Sequence, residues 1–334
     1  MDRRGRVFSD EECRVELEAY KDKSPRYKKL NMRPGKVRTF FYTIQSKCIY
    51  TNARVRKNFQ GSYAQAEGIE RQVESAMSTE NKEPRSYRNA QGKLVLPQVT
   101  LCAMTSVNVR ETLKAMEYSC RGIEFADAVI ITDKKPRFLP KGIRYSHIDR
   151  LGNIDAFNYK TVYDMGDYIH TDFALLVHYD GFVVHPEMWR DEFLDYDYIG
   201  SPWPLPKPGD DTTYRDIYGN ICRVGNSVGI RSKRLMDYPK KAGIPWVGEK
   251  GYFNEDGFIC CKIRHLLEAE GMRIAPLEVA KYFGHENMIP EIEGITPFVF
   301  HKWYGTNAGY PDFRKKHTVL NSLRRLHGRL KGGN

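Results

Sequence analysis

The middle of the chain alternates short apolar runs with stretches in which apolar residues recur at helical spacing. Four strands are predicted from continuous apolar runs at Val99–Ser106, Ala126–Asp133, Ile143–Ile148 and Phe173–Val177. A predicted helix joins the first two runs, and another is predicted at about residues 156–169. Because strands of this kind are apolar on both faces, the pattern indicates a parallel α/β sheet that helices cover on both sides.

The second half of the chain is less regular. Ser201–Asp211 is rich in proline and is predicted to be a stiff loop. A helix is predicted to begin at Asn254, a suitable N-cap. Glu255 and Asp256 then fall in its first turn, where the helix dipole favours acids. The apolar residues that follow indicate a helix buried on one face.

Composition divides the chain into three segments. Residues 1–95 are predicted to be a basic N-terminal extension, partly helical at Tyr63–Met77 and containing the polar linker Ser78–Gly92. Residues 96–310 form the predicted α/β domain. Residues 311–334 have the spacing of a basic amphipathic C-terminal helix, which packs either on the protein itself or on an anionic membrane.

Charge and cysteine usage narrow the class of protein. Of the net charge of +11, residues 1–95 carry +9 and residues 311–334 carry +6, whereas the segment between them is acidic at −4. Basic ends are typical of proteins that bind a polyanion such as nucleic acid, an anionic membrane or a phosphate-rich glycolipid. The alternative explanation is that they only keep the protein soluble. The seven cysteines have no metal-ligand spacing, and no apolar run has the length of a membrane span or the context of a signal peptide. We therefore expect a cytoplasmic protein, with peripheral membrane contact as an option.

The apolar strand Phe173–Val177 leads into a corner, Asp180-Gly181, with His178 two residues before the aspartate. Ligands of open α/β sheets collect at the carboxyl ends of the strands, where a carboxylate suits a hard cation. Gly181 would let a ligand approach the backbone, although Asp-Gly is also a common turn signal. Asp133 ends another strand at the same edge and is a candidate contact to a nucleoside. The sequence has no glycine motif for dinucleotides or phosphates, which disfavours nicotinamide enzymes and ATPases.

Four segments in a fixed order carry a resemblance: LLVHYDGFVVHPEMWRDEFLDYDYIGSPWP, YGNICRVGNSVGIRSKRL, FNEDGFIC and FHKWYG. Together they resemble an uncharacterised family of glycosyltransferase-like domains from glycan-biosynthesis settings. More distantly, they resemble nucleotide-sugar-dependent glycosyltransferases of the GT-A fold. The resemblance covers about Gln98–Tyr304. It implies a GT-A-like (Rossmann-like) α/β fold with a mixed, mostly parallel sheet flanked by helices.

The resemblance also implies a metal site. Asp180 matches the last carboxylate of an Asp-x-Asp metal motif, and His178 stands in the place of the first aspartate. His301 stands where a late histidine completes the metal shell. The implied cofactor is a divalent metal, Mn²⁺ or Mg²⁺, which would hold the diphosphate of a nucleotide-sugar co-substrate.

A general base is implied in the same way. Glu255-Asp256 matches the acidic pair that supplies a base and an acceptor contact in inverting transferases. Asp256 is the favoured base and Glu255 the lesser candidate, while the simpler interpretation of the pair is a helix N-terminus. The segment VGNSVGIRS matches a glycine-rich loop that lines the donor and acceptor, with an asparagine where relatives often have a second glycine. The residues predicted to contact the nucleotide-sugar are Asp133, Asp180, Gly181, Gly225, Asn226, Gly229, Arg231 and Lys302.

These features predict a glycosyltransferase that moves a sugar from a nucleotide-sugar to a hydroxyl of a glycan, a lipopolysaccharide or another glycoconjugate. Trp203, Tyr214, Tyr218 and Trp303 are candidates to face sugar rings. Three alternatives stay open. The first is that the acceptor is a hydroxylated DNA base, because cations and aromatics interleave in the N-terminal segment. The second is that the chain is a non-catalytic module that binds a glycan or nucleic acid. The third is that it is a metal-dependent nucleotidyltransferase.

Overall fold

The computed structural model describes residues 84–247 and 254–314. Within them, seven strands form one central sheet and two short strands pair separately. The strands of the central sheet are β1 (Tyr87–Arg88), β2 (Leu94–Met104), β3 (Ile123–Thr132), β4 (Arg144–His147), β5 (Phe173–Leu176), β6 (Tyr198–Pro202) and β7 (Val224–Ser232). The short pair is β8 (Gly284–His285) and β9 (Val299–Phe300), which run parallel to each other.

The central sheet is mixed and mostly parallel, as the sequence predicts. Its order is β4-β3-β2-β5-β7-β6, with β1 added to β2 as an antiparallel hairpin. Neighbouring pairs from β4 to β5 are parallel, whereas β7 runs antiparallel to both β5 and β6. Strands β2 to β6 therefore share one direction, and β7 is reversed between β5 and β6.

The helices lie between and after these strands. They are α1 (Val109–Ser119), α2 (Ile154–Tyr163), α3 (Lys233–Lys241), α4 (Glu255–Gly257), α5 (Arg264–Ala269) and α6 (Leu277–Phe283). A π-helical turn, Phe258–Lys262, joins α4 to α5. The predicted helix after Asn254 is thus interrupted, and the Asn254 side chain makes no capping hydrogen bond, contrary to the prediction.

Both faces of the sheet are covered, because alternate residues of β2 belong to different apolar clusters. Leu101 packs with residues of α1 such as Met116, and Cys102 packs on the opposite face with Met236 of α3. Leu101 and Cys102 are both fully buried. This burial explains why the predicted strands are continuously apolar rather than alternating.

Strand β2 begins five residues earlier than the apolar run predicts. Pro97 interrupts the pattern in the sequence, yet Leu94 and Leu96 on its N-terminal side are buried. The pairing with β3 shifts register between Leu96 and Thr100, which accommodates a residue that has no N–H to donate. Part of the predicted linker, from residue 84 onward, forms the hairpin of β1 and β2.

One edge of the sheet collects the strand ends. Leu176 at the end of β5 pairs with Gly229, and Pro202 at the end of β6 pairs with Val224, the first residue of β7. The carboxyl ends of β2, β3, β5 and β6 therefore lie at the same edge of the sheet as the beginning of β7. This is the edge at which α/β sheets bind ligands.

In the described part of the chain, no helix has the length and apolar character needed to cross a membrane. The predicted N-terminal extension up to residue 83, including Tyr63–Met77, lies outside the described residues. So does the predicted amphipathic helix from residue 315 onward. The boundaries proposed for these segments stay predictions.

Candidate active site

A cavity of about 900 Å³ opens at the edge where the strand ends meet. Its volume is within the range of small-molecule sites. Its walls come from the segments after β2, β5 and β6, from the start of α2 and of β7, and from α4 and the residues around β8 and β9. Its polar lining includes His178, Asp180, Asn226, Ser227, Glu255, Asp256, Glu286, His301 and Lys302.

The corner after β5 is a tight turn. His178 N–H donates to the Gly181 carbonyl at 2.7 Å, and Gly181 N–H donates back to the His178 carbonyl at 3.3 Å. A Cβ at position 181 would lie 2.6 Å from Val228 Cγ2 and 2.8 Å from His301 Cδ2. Gly181 is therefore needed for the close approach of neighbouring segments, and Asp180 faces the cavity beside it.

Asp180 is part of a chain of ionisable side chains. Its Oδ1 lies 3.8 Å from His301 Nε2, and the other ring nitrogen, Nδ1, lies 3.3 Å from Glu286 Oε1. The same Glu286 oxygen accepts a hydrogen bond from Lys302 Nζ at 2.5 Å. Burial opposes ionisation of Glu286, but His301 and Lys302 outweigh it and lower its pKa to about 2. Glu286 is therefore a fixed negative charge that orients both residues.

These residues supply a partial ligand set for a cation. Among the described residues, no group of three His, Cys, Asp or Glu side chains converges closely enough to hold a metal ion. Asp180 presents a carboxylate oxygen, the donor type that Mn²⁺ and Mg²⁺ prefer, and His301 presents an imidazole nitrogen, which suits a transition metal better than Mg²⁺. With one oxygen and one nitrogen, the pair suits Mn²⁺ better than Mg²⁺, and substrate phosphates and water would have to supply the remaining ligands.

His178 differs from this pair. Its Nε2 lies at hydrogen-bond distance, 2.9 Å, from Ser227 Oγ, and its ring meets Phe157 edge-on. Burial, followed by the nearby His301, lowers the pKa of His178 to about 4, so the imidazole is neutral at physiological pH. One ring nitrogen is thus already engaged with a hydroxyl, and the predicted role of His178 as a metal ligand stays a prediction.

Asp256 is held in the wall of the cavity by two backbone donors. Its Oδ2 accepts from Asn226 N–H at 3.0 Å, and its Oδ1 accepts from Gly257 N–H at 2.8 Å. Burial, reinforced by the negative charge of Glu255, raises the pKa of Asp256 to about 7. A carboxylate with that pKa can take up and release a proton near neutral pH, as a general base must.

Glu255 has a different environment, although it is adjacent in sequence. Its Oε1 accepts from Arg231 at 3.2 Å, and both side chains are at least 97% buried. A buried ion pair of this kind is costly to break from one side only. Glu255 is therefore held by Arg231, and Asp256 is the acid of the pair that is available to a ligand.

The glycine-rich loop supplies both packing and a cavity residue. Gly225 accommodates the ring of Trp203, because a Cβ there would lie 1.8 Å from the indole, and Gly229 lies against the Ile199 carbonyl. Neither glycine lines the cavity, whereas Asn226 does. The backbone of Asn226 has φ 96°, a left-handed value that costs a non-glycine residue about 1–3 kcal/mol.

The remaining predicted residues are distributed unevenly. Trp203 and Tyr214 line the cavity and stack on each other with ring centroids 4.8 Å apart, whereas Tyr218 is 71% exposed. Asp133 follows β3, as expected, but it does not line the cavity. A hydrogen bond from Ser106, which does, lowers the pKa of Asp133. The predicted ligand contacts of Asp133, Gly181, Gly225, Gly229 and Arg231 stay predictions.

Two residues of the site were missed in the sequence. Glu286 sits in a segment, FGHEN, whose only conspicuous residue is His285, and that histidine is buried with its Nε2 on the Lys281 carbonyl. Ser227 lies within the glycine-rich loop, where a serine is unremarkable. Neither has a local signal, because their roles come from contacts with His301 and His178.

Comparison with known proteins gives limited help. Residues 159–301 match the model of a family described as a protein of unknown function, DUF5672. No curated protein sequence matches the chain. One similar solved structure is TarS 1–349 of S. aureus, with 13% identity, a TM-score of 0.34, and coverage of 61% of this chain and 60% of that one. Another is the apo-form glycosyltransferase GlyE of Streptococcus pneumoniae TIGR4, with 10% identity, a TM-score of 0.34, and coverage of 63% and 55%.

The chain therefore spans less than two thirds of the length of these two structures.

Proposed function

We propose that the protein is a glycosyltransferase of the GT-A type that uses a nucleotide-sugar donor and inverts the anomeric centre. One observation carries the proposal. Asp180 and Asp256 face the same cavity, and Asp256 has a pKa of about 7. A nucleotide-sugar has an anionic diphosphate and a reacting carbon, and these two aspartates are suited to the two ends of that reaction.

The diphosphate belongs at the end of the cavity that contains Asp180, His301 and Lys302. The Lys302 ammonium keeps its charge: its pKa is raised, because the hydrogen bond to Glu286 outweighs the effect of burial. Asp180 and His301 would hold Mn²⁺ or Mg²⁺, which when bound stabilises the charge on the departing diphosphate. Lys302 adds a second positive group beside the same phosphates.

The acceptor belongs beside Asp256. As the acceptor oxygen attacks the anomeric carbon, its proton passes to Asp256, and the bond from that carbon to the diphosphate oxygen breaks. The products are the glycoside and a nucleoside diphosphate. A single displacement of this kind inverts the configuration, and alignment of the two substrates in one cavity supplies much of the rate.

The acceptor class follows from the same chemistry. An uncharged hydroxyl is compatible with a cavity wall that contains the carboxylates of Asp256 and Glu255, so we propose a glycan or glycolipid acceptor. The DNA-acceptor hypothesis depends on the basic segment before residue 84, which lies outside the described residues. It therefore stays a hypothesis.

A non-catalytic binding module is the second candidate. The observations in its favour are His178 at the place of an aspartate and the lack, in the residues the structure describes, of a cluster of three metal-binding side chains. The two candidates differ in turnover. A binding module retains the cavity but releases no nucleoside diphosphate.

A panel of nucleotide-sugars tests the proposal. Donors are first selected by thermal shift with Mn²⁺, since a ligand that binds the folded state raises its melting temperature. Release of nucleoside diphosphate is then measured with and without Mn²⁺ for wild-type protein and Asp180→Ala. We expect release that depends on both. Turnover indifferent to the metal and to the substitution would refute the proposal, and release of inorganic diphosphate instead would identify a nucleotidyltransferase.

A further inference from the structure

Asn226 combines two unfavourable features at one position in the cavity wall. Its backbone has φ 96°, which asparagine tolerates better than most residues but which glycine adopts more easily. The residue is 99% buried and belongs to the lining of the cavity. Strained backbone at a ligand cavity is a reason to look for function.

The surrounding contacts hold Asn226 in this conformation. Its N–H donates to Asp256 Oδ2 at 3.0 Å, and its carbonyl accepts a hydrogen bond from the Tyr198 hydroxyl. Its side-chain Oδ1 accepts from Val228 N–H at 3.1 Å. The backbone of Asn226 therefore positions the proposed base, and its side chain is tied to β7.

The bond to Val228 also settles the orientation of the amide. Only the oxygen of the amide can accept from a backbone N–H, so the other atom of the group is the nitrogen, Nδ2. Nδ2 is buried, and within residues 84–247 and 254–314 it has no hydrogen-bond partner. Buried donors are nearly always paired in proteins, which makes this one a site that a ligand can complete.

We propose that Asn226 Nδ2 donates a hydrogen bond to a hydroxyl oxygen of the acceptor sugar and thereby selects the acceptor. An amide donor suits a neutral oxygen, and the carboxyl group of Asp256, bonded to the Asn226 N–H, disfavours a phosphate at this point. The inference rests on the proposed function. It adds that one residue connects the proposed base, through its N–H, to the recognition of the acceptor, through its side chain.

Deoxy acceptors test the inference directly. Wild-type protein and Asn226→Gly are compared for transfer to a set of methyl glycosides and to their monodeoxy derivatives. In wild-type protein, loss of the recognised hydroxyl should lower kcat/KM about 10- to 100-fold, because the donor is left unpaired. In Asn226→Gly, kcat/KM for the intact glycoside should already be lower by that factor. Removal of the same hydroxyl should then lower kcat/KM of the variant by less than about twofold more.

Thermal unfolding separates recognition from a structural role. Glycine relieves the backbone strain but removes the acceptor for Val228 N–H, so Asn226→Gly should melt close to wild type. If the glycine variant fails to fold, Asn226→Asp retains that acceptor and removes the donor. Because it also adds a carboxyl group beside Asp256, wild type and variant are then compared over a full pH profile and at the optimum of each. Asn108→Gly is the matched control: Asn108 also has a positive φ, 49°, is exposed and does not line the cavity, so its acceptor kinetics should equal those of wild type.

The outcomes distinguish the two proposals. Equal deoxy effects in wild type and Asn226→Gly, at every hydroxyl, would overturn the role of Asn226 and leave the glycosyltransferase proposal standing. Donor hydrolysis without transfer to any glycoside would overturn the inference together with a glycan acceptor. Absence of any nucleoside diphosphate release would overturn both the inference and the proposed function.

Discussion

Replacement of Asp256 by asparagine is the sharpest perturbation of the proposed mechanism. Asparagine has the same shape but cannot take the acceptor proton at neutral pH. General-base catalysis is worth about 10²- to 10⁴-fold, so kcat/KM of Asp256→Asn should fall by that factor. In wild-type protein kcat/KM should rise with pH up to about 7 and then level off, since the base must be ionised. The variant should lack this dependence.

The same substitution has a consequence for stability that does not require substrate. The folded-state pKa of Asp256 is raised from an ordinary value of 3.8 to about 7, so the folded protein holds this proton more tightly than the unfolded chain. Ionisation therefore destabilises the fold as pH rises from about 4 to 7. Between pH 5 and pH 8 this amounts to roughly 2–3 kcal/mol, which Asp256→Asn removes.

Asp256→Asn also lowers the free energy of unfolding by an amount that does not depend on pH. Asp256 accepts from two backbone N–H groups, Asn226 and Gly257, and an amide has only one oxygen to offer them. The lost partner costs about 1–3 kcal/mol at every pH. The melting temperature of Asp256→Asn relative to wild type should thus be lower at pH 5 than at pH 8.

Paired thermal melts and pH–rate profiles check both effects. Glu268→Gln is the control, because Glu268 is an exposed carboxylate on α5 whose ion pair with Arg264 should contribute less than about 1 kcal/mol. A melting difference between Asp256→Asn and wild type that does not change with pH would refute the raised pKa. Retention of a pH–rate inflection near 7 in the variant would refute Asp256 as the base.

Three further substitutions probe the diphosphate end of the cavity. Asp180→Asn should weaken binding of a nucleoside diphosphate in the presence of Mn²⁺ about 10- to 100-fold by calorimetry, whereas equal affinities would exclude a contact there. Glu286→Gln loses the charge beside His301 and Lys302, and direct titration with Mn²⁺ should give about 10- to 100-fold weaker binding; unchanged affinity would contradict its orienting role. Gly181→Ala places a Cβ 2.6–2.9 Å from its neighbours and should lower the free energy of unfolding by about 1–3 kcal/mol. The control is Gly309→Ala, whose added Cβ would meet no atom within 4 Å and should leave the free energy of unfolding unchanged. Equal melting temperatures of the two variants would disprove the steric argument.

The sequence alone was sufficient for the parts of the fold that depend on local burial. Continuous apolar runs predicted β3 and β5 and a parallel sheet, because strands covered on both faces have no polar side to display. The position of Asp180 in the corner that follows β5 was predictable for the same reason. The start of β2 could not be predicted from the sequence, because Pro97 interrupts the apolar pattern there but causes only a shift of register in the sheet.

The tertiary structure alone decided how the site is assembled. Glu286 and His301 are 15 positions apart, and Asn226 and Asp256 are 30 apart, so no periodic pattern connects them. Glu286 and His301 meet because they directly follow β8 and β9, whose parallel pairing aligns His285 with Phe300. Asn226 meets Asp256 because β7 runs antiparallel to β5 and brings its first residues to the edge where the other strands end. The difference between Glu255 and Asp256 has the same origin. Two adjacent acids are equivalent in a sequence, and only packing gives one of them Arg231 as a partner and the other a wall of the cavity.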